Sequence, residues 1–140
     1  MSSGLVYYAL DATRTRQYVK IGYSTALGAR MIALRQVTAS AQTPLVLALE
    51  EGSVATERQR HHQFGSLRSH GEWFSYEDEL RKFLADMEHP VAYLFDRPHL
   101  WVYAASWGPF SPPFSQQRVP GEGSPIPEDE TPPIYEPVKF

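Results

Sequence analysis

Leu5-Val6-Tyr7-Tyr8-Ala9-Leu10 and Tyr18-Val19-Lys20-Ile21-Gly22-Tyr23 are two β-branched and aromatic runs, separated by the polar stretch Asp11 to Gln17. Such residues suit pleated strands, and a short polar connection makes two of them a hairpin. Alternation puts Val19, Ile21 and Tyr23 on one face of the second strand and Tyr18, Lys20 and Gly22 on the other. Only the first face reads as core. Lys20 is therefore presented on the opposite side, where Tyr7 is the aromatic that can join it from across the pair.

Downstream of the hairpin, Ser24 or Thr25 is a plausible N-cap for a helix through Ala29, Arg30 and Arg35, with Leu27, Met31 and Leu34 as its apolar stripe. Pro44 then opens Leu45-Val46-Leu47-Ala48-Leu49. That run is short and uniformly apolar, which predicts a central strand buried on both faces. A second helix is expected from about Ser53 to Phe64, stopped by Gly65, and a third from about Tyr76 to Met87, ahead of Pro90. Residues 1–90 thus read as an α/β (α+β) domain, with a small three-stranded, mainly antiparallel sheet flanked by three helices. Val91 to Phe95 and His99 to Ala105, within residues 91–106, read as one or two late strands or as an aromatic strap packed on the domain.

Composition shifts after that point, since 9 of the 12 prolines lie between Pro109 and Pro137. Residues 107–140 are expected to be a Pro-rich, acidic tail, extended or disordered. Charge follows the same division. Residues 1–104 carry 11 Lys+Arg and 11 Asp+Glu, whereas the remainder carries Arg118 and Lys139 against five acids and accounts for the net charge of −3. Residues 1–70 are locally cationic, with 8 basic and 4 acidic side chains. Whole-chain charge is therefore a poor argument against a polyanionic partner.

The chain has 140 residues, enough for one domain and an appendage, and no cysteine. A disulfide framework and a thiolate zinc site are excluded. Met1-Ser2-Ser3-Gly4 lacks a basic start and apolar run, and no stretch approaches the roughly 18 apolar residues of a membrane helix. The expectation is a soluble cytoplasmic protein with no membrane partner.

The second helix carries the most chemical information. Val54, Glu57, His61 and Phe64 fall at spacings of three, four and three, which puts them on one face. A carboxylate and an imidazole between two apolar residues on a core-facing stripe are penalised by desolvation unless each has a partner. His61 as a satisfied core histidine and Glu57 as a partly exposed helix acid is the simpler reading. Tyr7, Lys20, Arg30 and Glu57 can instead converge over one sheet face as base, electrophiles and metal ligand. Singly, Tyr7 reads as core with a wet hydroxyl, and Lys20 and Arg30 as solvated charges.

Taken together, Val6-Tyr7, Lys20-Ile21-Gly22, a helix Arg30, Glu57-x-x-x-His61-x-x-Phe64 and Gly71-Glu72-Trp73-Phe74 stand in one order. This order resembles the GIY-YIG nuclease superfamily, and within it the bacteriophage and bacterial DNA-binding branch whose second motif reads KIG and whose domain closes with a GEWF-like element. The resemblance covers about Gly4 to Leu84. It implies a metal-dependent endonuclease acting on DNA. Tyr7 would be the general base or the hydroxyl that orients the nucleophile, and Lys20 would occupy the place where most members have a second tyrosine. Arg30 would hold the scissile phosphate. Glu57 would be the carboxylate that binds a single Mg²⁺ or Mn²⁺ ion, with His61 orienting the site or assisting proton transfer. If the chain is phage-encoded, its compartment would be the host cytoplasm.

Glu72 also sits in a defined turn; it reads as a partner for Lys20 or a backbone cap in preference to a metal ligand. Arg14 and Arg16 in the hairpin loop, with Arg58, Arg60 and Arg68, are candidate contacts to nucleic-acid backbone phosphate, or else ordinary solvated arginines. Two other functions remain open. One is a non-catalytic DNA-binding module of the same fold. The other is a protein-interaction factor acting through its tail, with Trp101, Tyr103, Trp107, Phe110, Phe114 and Tyr135 as anchors. Oligomeric state is not encoded in any motif here.

Overall fold

The aromatic and β-branched runs form β1 (Gly4–Asp11) and β2 (Tyr18–Ser24), paired antiparallel with Tyr7 opposite Gly22, Tyr8 opposite Ile21 and Ala9 opposite Lys20. These come from a computed structural model, which describes residues 3–11, 15–36 and 43–110. Every residue of β1 is buried. The cause is its position: the sheet order is β3-β1-β2-β5-β4, and both faces of β1 are covered. Leu5, Tyr7 and Ala9 pack with Leu27, Met31 and Leu34 of α1 (Leu27–Arg35). Val6, Tyr8 and Leu10 pack on the other face with Val19, Ile21, Phe64, Phe74, Leu80 and Leu84.

The apolar run after Pro44 is β3 (Leu45–Gly52), and it is an edge strand rather than the central one. Leu45 is 58% exposed. A pairing irregularity between Tyr8 and Ala9 of β1 leaves Leu47 without a register partner, so part of the uniformly apolar run is a bulge. On the strand's outer side the Tyr93 hydroxyl accepts from the Glu51 N–H at 3.0 Å. This contact blunts an otherwise open edge.

The sheet has five strands, not three. β4 (Arg68–His70) and β5 (Trp73–Ser75) form a hairpin that pairs onto β2 through Tyr18, Val19 and Lys20. At three residues each they are too short to show a period of two. Their turn is marked in the sequence all the same: Gly71 sits at φ 55°, a conformation most side chains avoid.

α2 (Val54–Gln63) begins at Ser53, whose side chain accepts from the Ala55 N–H, while Thr56 accepts from the Ser53 N–H. Val54 is 42% exposed and so takes no part in the core stripe expected of it. α3 (Asp78–Ala85) adds Leu80 and Leu84 to the core. For α1, Ser24 accepts from the Ala26 N–H just before the helix, and the capping residue is Ala26.

The segment expected as late strands or a strap is helical: α4 (Pro90–Phe95) and α5 (Trp101–Ala104), linked by a short turn. Pro90 occupies the first helical turn and His89 accepts from the Val91 N–H, an N-terminal signal that the aromatic content concealed. Leu94, Leu100, Ala104 and Phe110 enter the core beside Leu5 and Leu49, with Trp101, Tyr103 and Trp107 packed around them. Four of the proposed protein-binding anchors are therefore engaged internally. Phe114, Tyr135, Arg14 and the Pro-rich stretch from residue 111 lie outside the described residues. Among the described residues no helix is long and apolar enough to cross a membrane.

Candidate active site

Gly22 is where the site begins. A Cβ built there would lie 2.3 Å from the Tyr7 hydroxyl oxygen, so only a residue without a side chain lets that hydroxyl lie across β2. Arg30 reaches the same oxygen from α1, donating from Nη1 to the Tyr7 hydroxyl at 3.3 Å and to the Tyr23 carbonyl at 3.2 Å. A guanidinium has further N–H groups for an incoming anion. Arg30 also lines an open cleft with Tyr23, Ser24, Thr25, Ala26 and Ala29 at the start of α1. Burial pushes the Tyr7 phenol above its ordinary value, and the Arg30 hydrogen bond and charge offset this only in part. Tyr7 is thus a neutral phenol at physiological pH.

One residue further along β2, the backbone of Ile21 ties two other elements to the site. Its N–H donates to the Glu72 carbonyl at 3.0 Å, and its carbonyl oxygen lies 2.7 Å from His61 Nε2. β5 pairs with β2 through Lys20 and goes no further, so the imidazole completes the edge where a strand partner is missing. A carbonyl only accepts, which assigns the proton of His61 to Nε2. His61 packs its ring on Phe74 with centroids 5.2 Å apart. It is held by the fold as well as by chemistry.

Glu57 lies one helical turn before His61, with His61 Nε2 3.8 Å from its Oε2. The carboxylate is largely buried, only 9% of the residue being exposed. Glu72 comes from the β4–β5 turn, and its Oε1 accepts from Lys20 Nζ at 2.9 Å. Lys20 also lies 5.6 Å from the Trp73 ring centre. One donor atom each from Glu57, His61 and Glu72 lie within 4.8 Å of one another. Burial, then the charge of Glu72, pushes the Glu57 carboxyl above the usual carboxylate range, against the pull of His61 and Lys20. Two facing carboxylates and one ammonium make a centre short of positive charge.

Tyr7, Lys20, Arg30, Glu57 and His61 therefore stand around one end of β2, with Glu72 among them. The proximity of Glu72 to Glu57 was not legible, because no spacing rule links a helix residue to a hairpin turn fifteen positions away. Gly71 ahead of Glu72 was the available signal. Hard oxygen donors from two carboxylates fit a divalent cation such as Mg²⁺ or Mn²⁺. The fit of His61 is poorer, since its Nε2 proton is engaged by Ile21.

The expected phosphate-contacting arginines divide. Arg16, Arg58 and Arg68 are exposed, Arg68 donating from Nε to the Gly71 carbonyl. Arg60 is committed inside the protein: Nε and Nη2 grip Glu50 at 3.0 and 2.6 Å, and Nη1 reaches Gln63 at 2.8 Å. Tyr8 adds its hydroxyl to the same carboxylate at 2.6 Å.

No curated protein and no solved structure matches this chain. A family model does, the T5orf172 domain, over residues 4–88. That interval holds the hairpin, α1, α2 and the β4–β5 turn, and with them every residue of the site. The chain belongs to the T5orf172 domain family.

Proposed function

We propose that this protein is a GIY-YIG-type endonuclease that hydrolyses DNA phosphodiester bonds with one divalent metal ion. The observation that carries the reading is the buried Glu57 carboxylate facing Glu72 beside Lys20, at the strand end where Arg30 meets Tyr7. The family is phage-associated and related to nuclease folds, which suits a nucleic-acid substrate.

Glu57 would hold Mg²⁺ or Mn²⁺, which when bound supplies Lewis-acid stabilisation of charge on the phosphate oxygens. Arg30 binds the same phosphate through N–H groups not directed at Tyr7 and Tyr23 and stabilises charge as it develops. The Tyr7 hydroxyl, seated on Gly22, accepts from Arg30 Nη1 and so orients the guanidinium toward the phosphate. The water oxygen forms a bond to phosphorus and gives up its proton to solvent, the bond to the leaving sugar oxygen breaks, and Lys20 protonates the leaving oxygen. His61 keeps α2, and so Glu57, seated against β2. Exposed Arg16, Arg58 and Arg68 add affinity without sequence readout.

A non-catalytic DNA-binding module is favoured by one observation: the Tyr7 phenol is held protonated, a poor resting state for a base. The two readings separate by incubating plasmid and short duplex DNA with Mg²⁺ or Mn²⁺. Metal-dependent cleavage that Arg30→Ala reduces at least about a hundredfold, the scale of losing one preorganised charge-stabilising group, supports the nuclease. Salt-sensitive binding with no cleavage under either metal selects the module.

A further inference from the structure

Glu72 has two neighbours that it cannot satisfy in the same way. Its Oε1 pairs with Lys20 Nζ at 2.9 Å, while the carboxylate as a whole lies within ligand distance of Glu57 and His61. The turn that carries it is pinned by the positive φ of Gly71 and by the Ile21 N–H on the Glu72 carbonyl. Its backbone cannot retreat from Glu57 without breaking that bond. The side chain itself is 40% exposed, against 16% for Lys20 and 12% for Glu57, so Glu72 is the most exposed of the three.

Resting on the nuclease reading above, we propose that Glu72 is a second carboxylate ligand of the same cation site and that Lys20 and the cation compete for it. Without metal, the Lys20 ammonium pairs with Glu72 at 2.9 Å, whereas Glu57 has His61 Nε2 3.8 Å from its Oε2. A divalent ion shared by Glu57 and Glu72 satisfies both carboxylates at once. Lys20 is then freed, and its nearest new partner is the phosphate that Arg30 holds. The Lys20–Glu72 pair is then a latch: it keeps the ammonium off the substrate position until metal is present. Lys20 stands opposite Ala9 and Gly22 opposite Tyr7 on the same face of the hairpin, two residues apart along β2. No change in backbone is needed for the exchange.

Titrating the full chain with Mn²⁺ alone, by electron paramagnetic resonance and calorimetry, tests this without reference to cleavage. Wild type is expected to bind one Mn²⁺. Glu72→Gln should weaken binding by about tenfold and Glu57→Gln by more, the scale of losing one charged ligand in a partly exposed site. Lys20→Met should tighten it, because the competing ammonium is gone; unchanged or weaker binding in this variant contradicts the competition. If Glu57→Gln abolishes binding while Glu72→Gln and Lys20→Met leave it at the wild-type value, the latch is wrong and the single-carboxylate site survives. Absence of Mn²⁺ binding by wild type, alone and with a non-cleavable duplex, overturns both.

Discussion

Gly22 and Tyr7 show what one side chain can decide in this protein. The Tyr7 ring is fully buried in the sheet face under α1, and its hydroxyl reaches the site only because Gly22 leaves room. Gly22→Ala should therefore displace Tyr7 rather than relax locally, costing about 1–3 kcal/mol as overpacking in a tight core does. Chemical denaturation reads the stability. The same variant should lose cleavage far more than it loses fold. Sequence alternation placed Tyr7, Lys20 and Gly22 on one face, because a strand's period of two is strict. It was silent on Glu72, whose position depends on a turn and on a backbone bond to Ile21.

At the scale of elements, α2 is attached to the sheet by two polar devices with different roles. His61 caps the open carbonyl of Ile21 where β5 ends. His61→Ala would leave that carbonyl without its donor, at a cost of about 1–3 kcal/mol, whereas His61→Gln can still donate and should recover part of the stability. Recovery of both stability and cleavage by Gln would mark His61 as a positioning residue; recovery of stability alone would give its ring a chemical role. The second device is the Tyr8–Glu50–Arg60 network, with the Arg60 guanidinium 5.0 Å from the Phe83 ring of α3. Burial raises the Glu50 carboxyl, but the hydrogen bonds from Arg60 and Tyr8 and the Arg60 charge outweigh it, leaving Glu50 below its ordinary value. The sign follows from that depression: the unfolded chain binds the proton more readily, so stability is fully present above the ordinary carboxylate range. It is lost as pH falls through the lower, folded value. Glu50→Gln should flatten this acid-side decline in thermal melts; an unchanged decline would place its origin in another carboxylate. This network was missed because Arg60, by composition, resembled its exposed neighbour Arg58.

For the whole molecule, the family match ends at residue 88, but the core does not. Leu94, Leu100, Ala104 and Phe110 cover the sheet face that holds Leu5, Tyr7 and Leu49, and a Cβ at Gly28 of α1 would meet the Ser106 carbonyl at 2.5 Å. A chain cut after Glu88 should therefore lose several kcal/mol, since each large core side chain removed costs about 2–5 kcal/mol, and should expose α1, the helix that carries Arg30. Urea titration of the truncated and full chains measures this; equal midpoints would make the helices after Pro90 an ornament on an independent domain. The helical nature of this segment was hard to read, because α4 and α5 span six and four residues. Helices of that length show no full amphipathic repeat. The long, periodic and capped elements were legible, and the short ones were not.

The proposed metal ligand, Glu57, is a buried carboxylate. Its carboxyl is pushed above the usual range by burial and by Glu72, so its ionised form opposes folding at neutral pH. Glu57→Gln removes that charge and keeps the shape. The decisive measurement pairs Mn²⁺-dependent DNA cleavage with thermal unfolding of this one variant against wild type. Expected are cleavage by wild type, cleavage lost by at least about a hundredfold in Glu57→Gln, and a melting temperature equal to or a few degrees above wild type, as when a functional charge is removed. Cleavage retained by a folded Glu57→Gln protein would remove Glu57 from the metal-binding role.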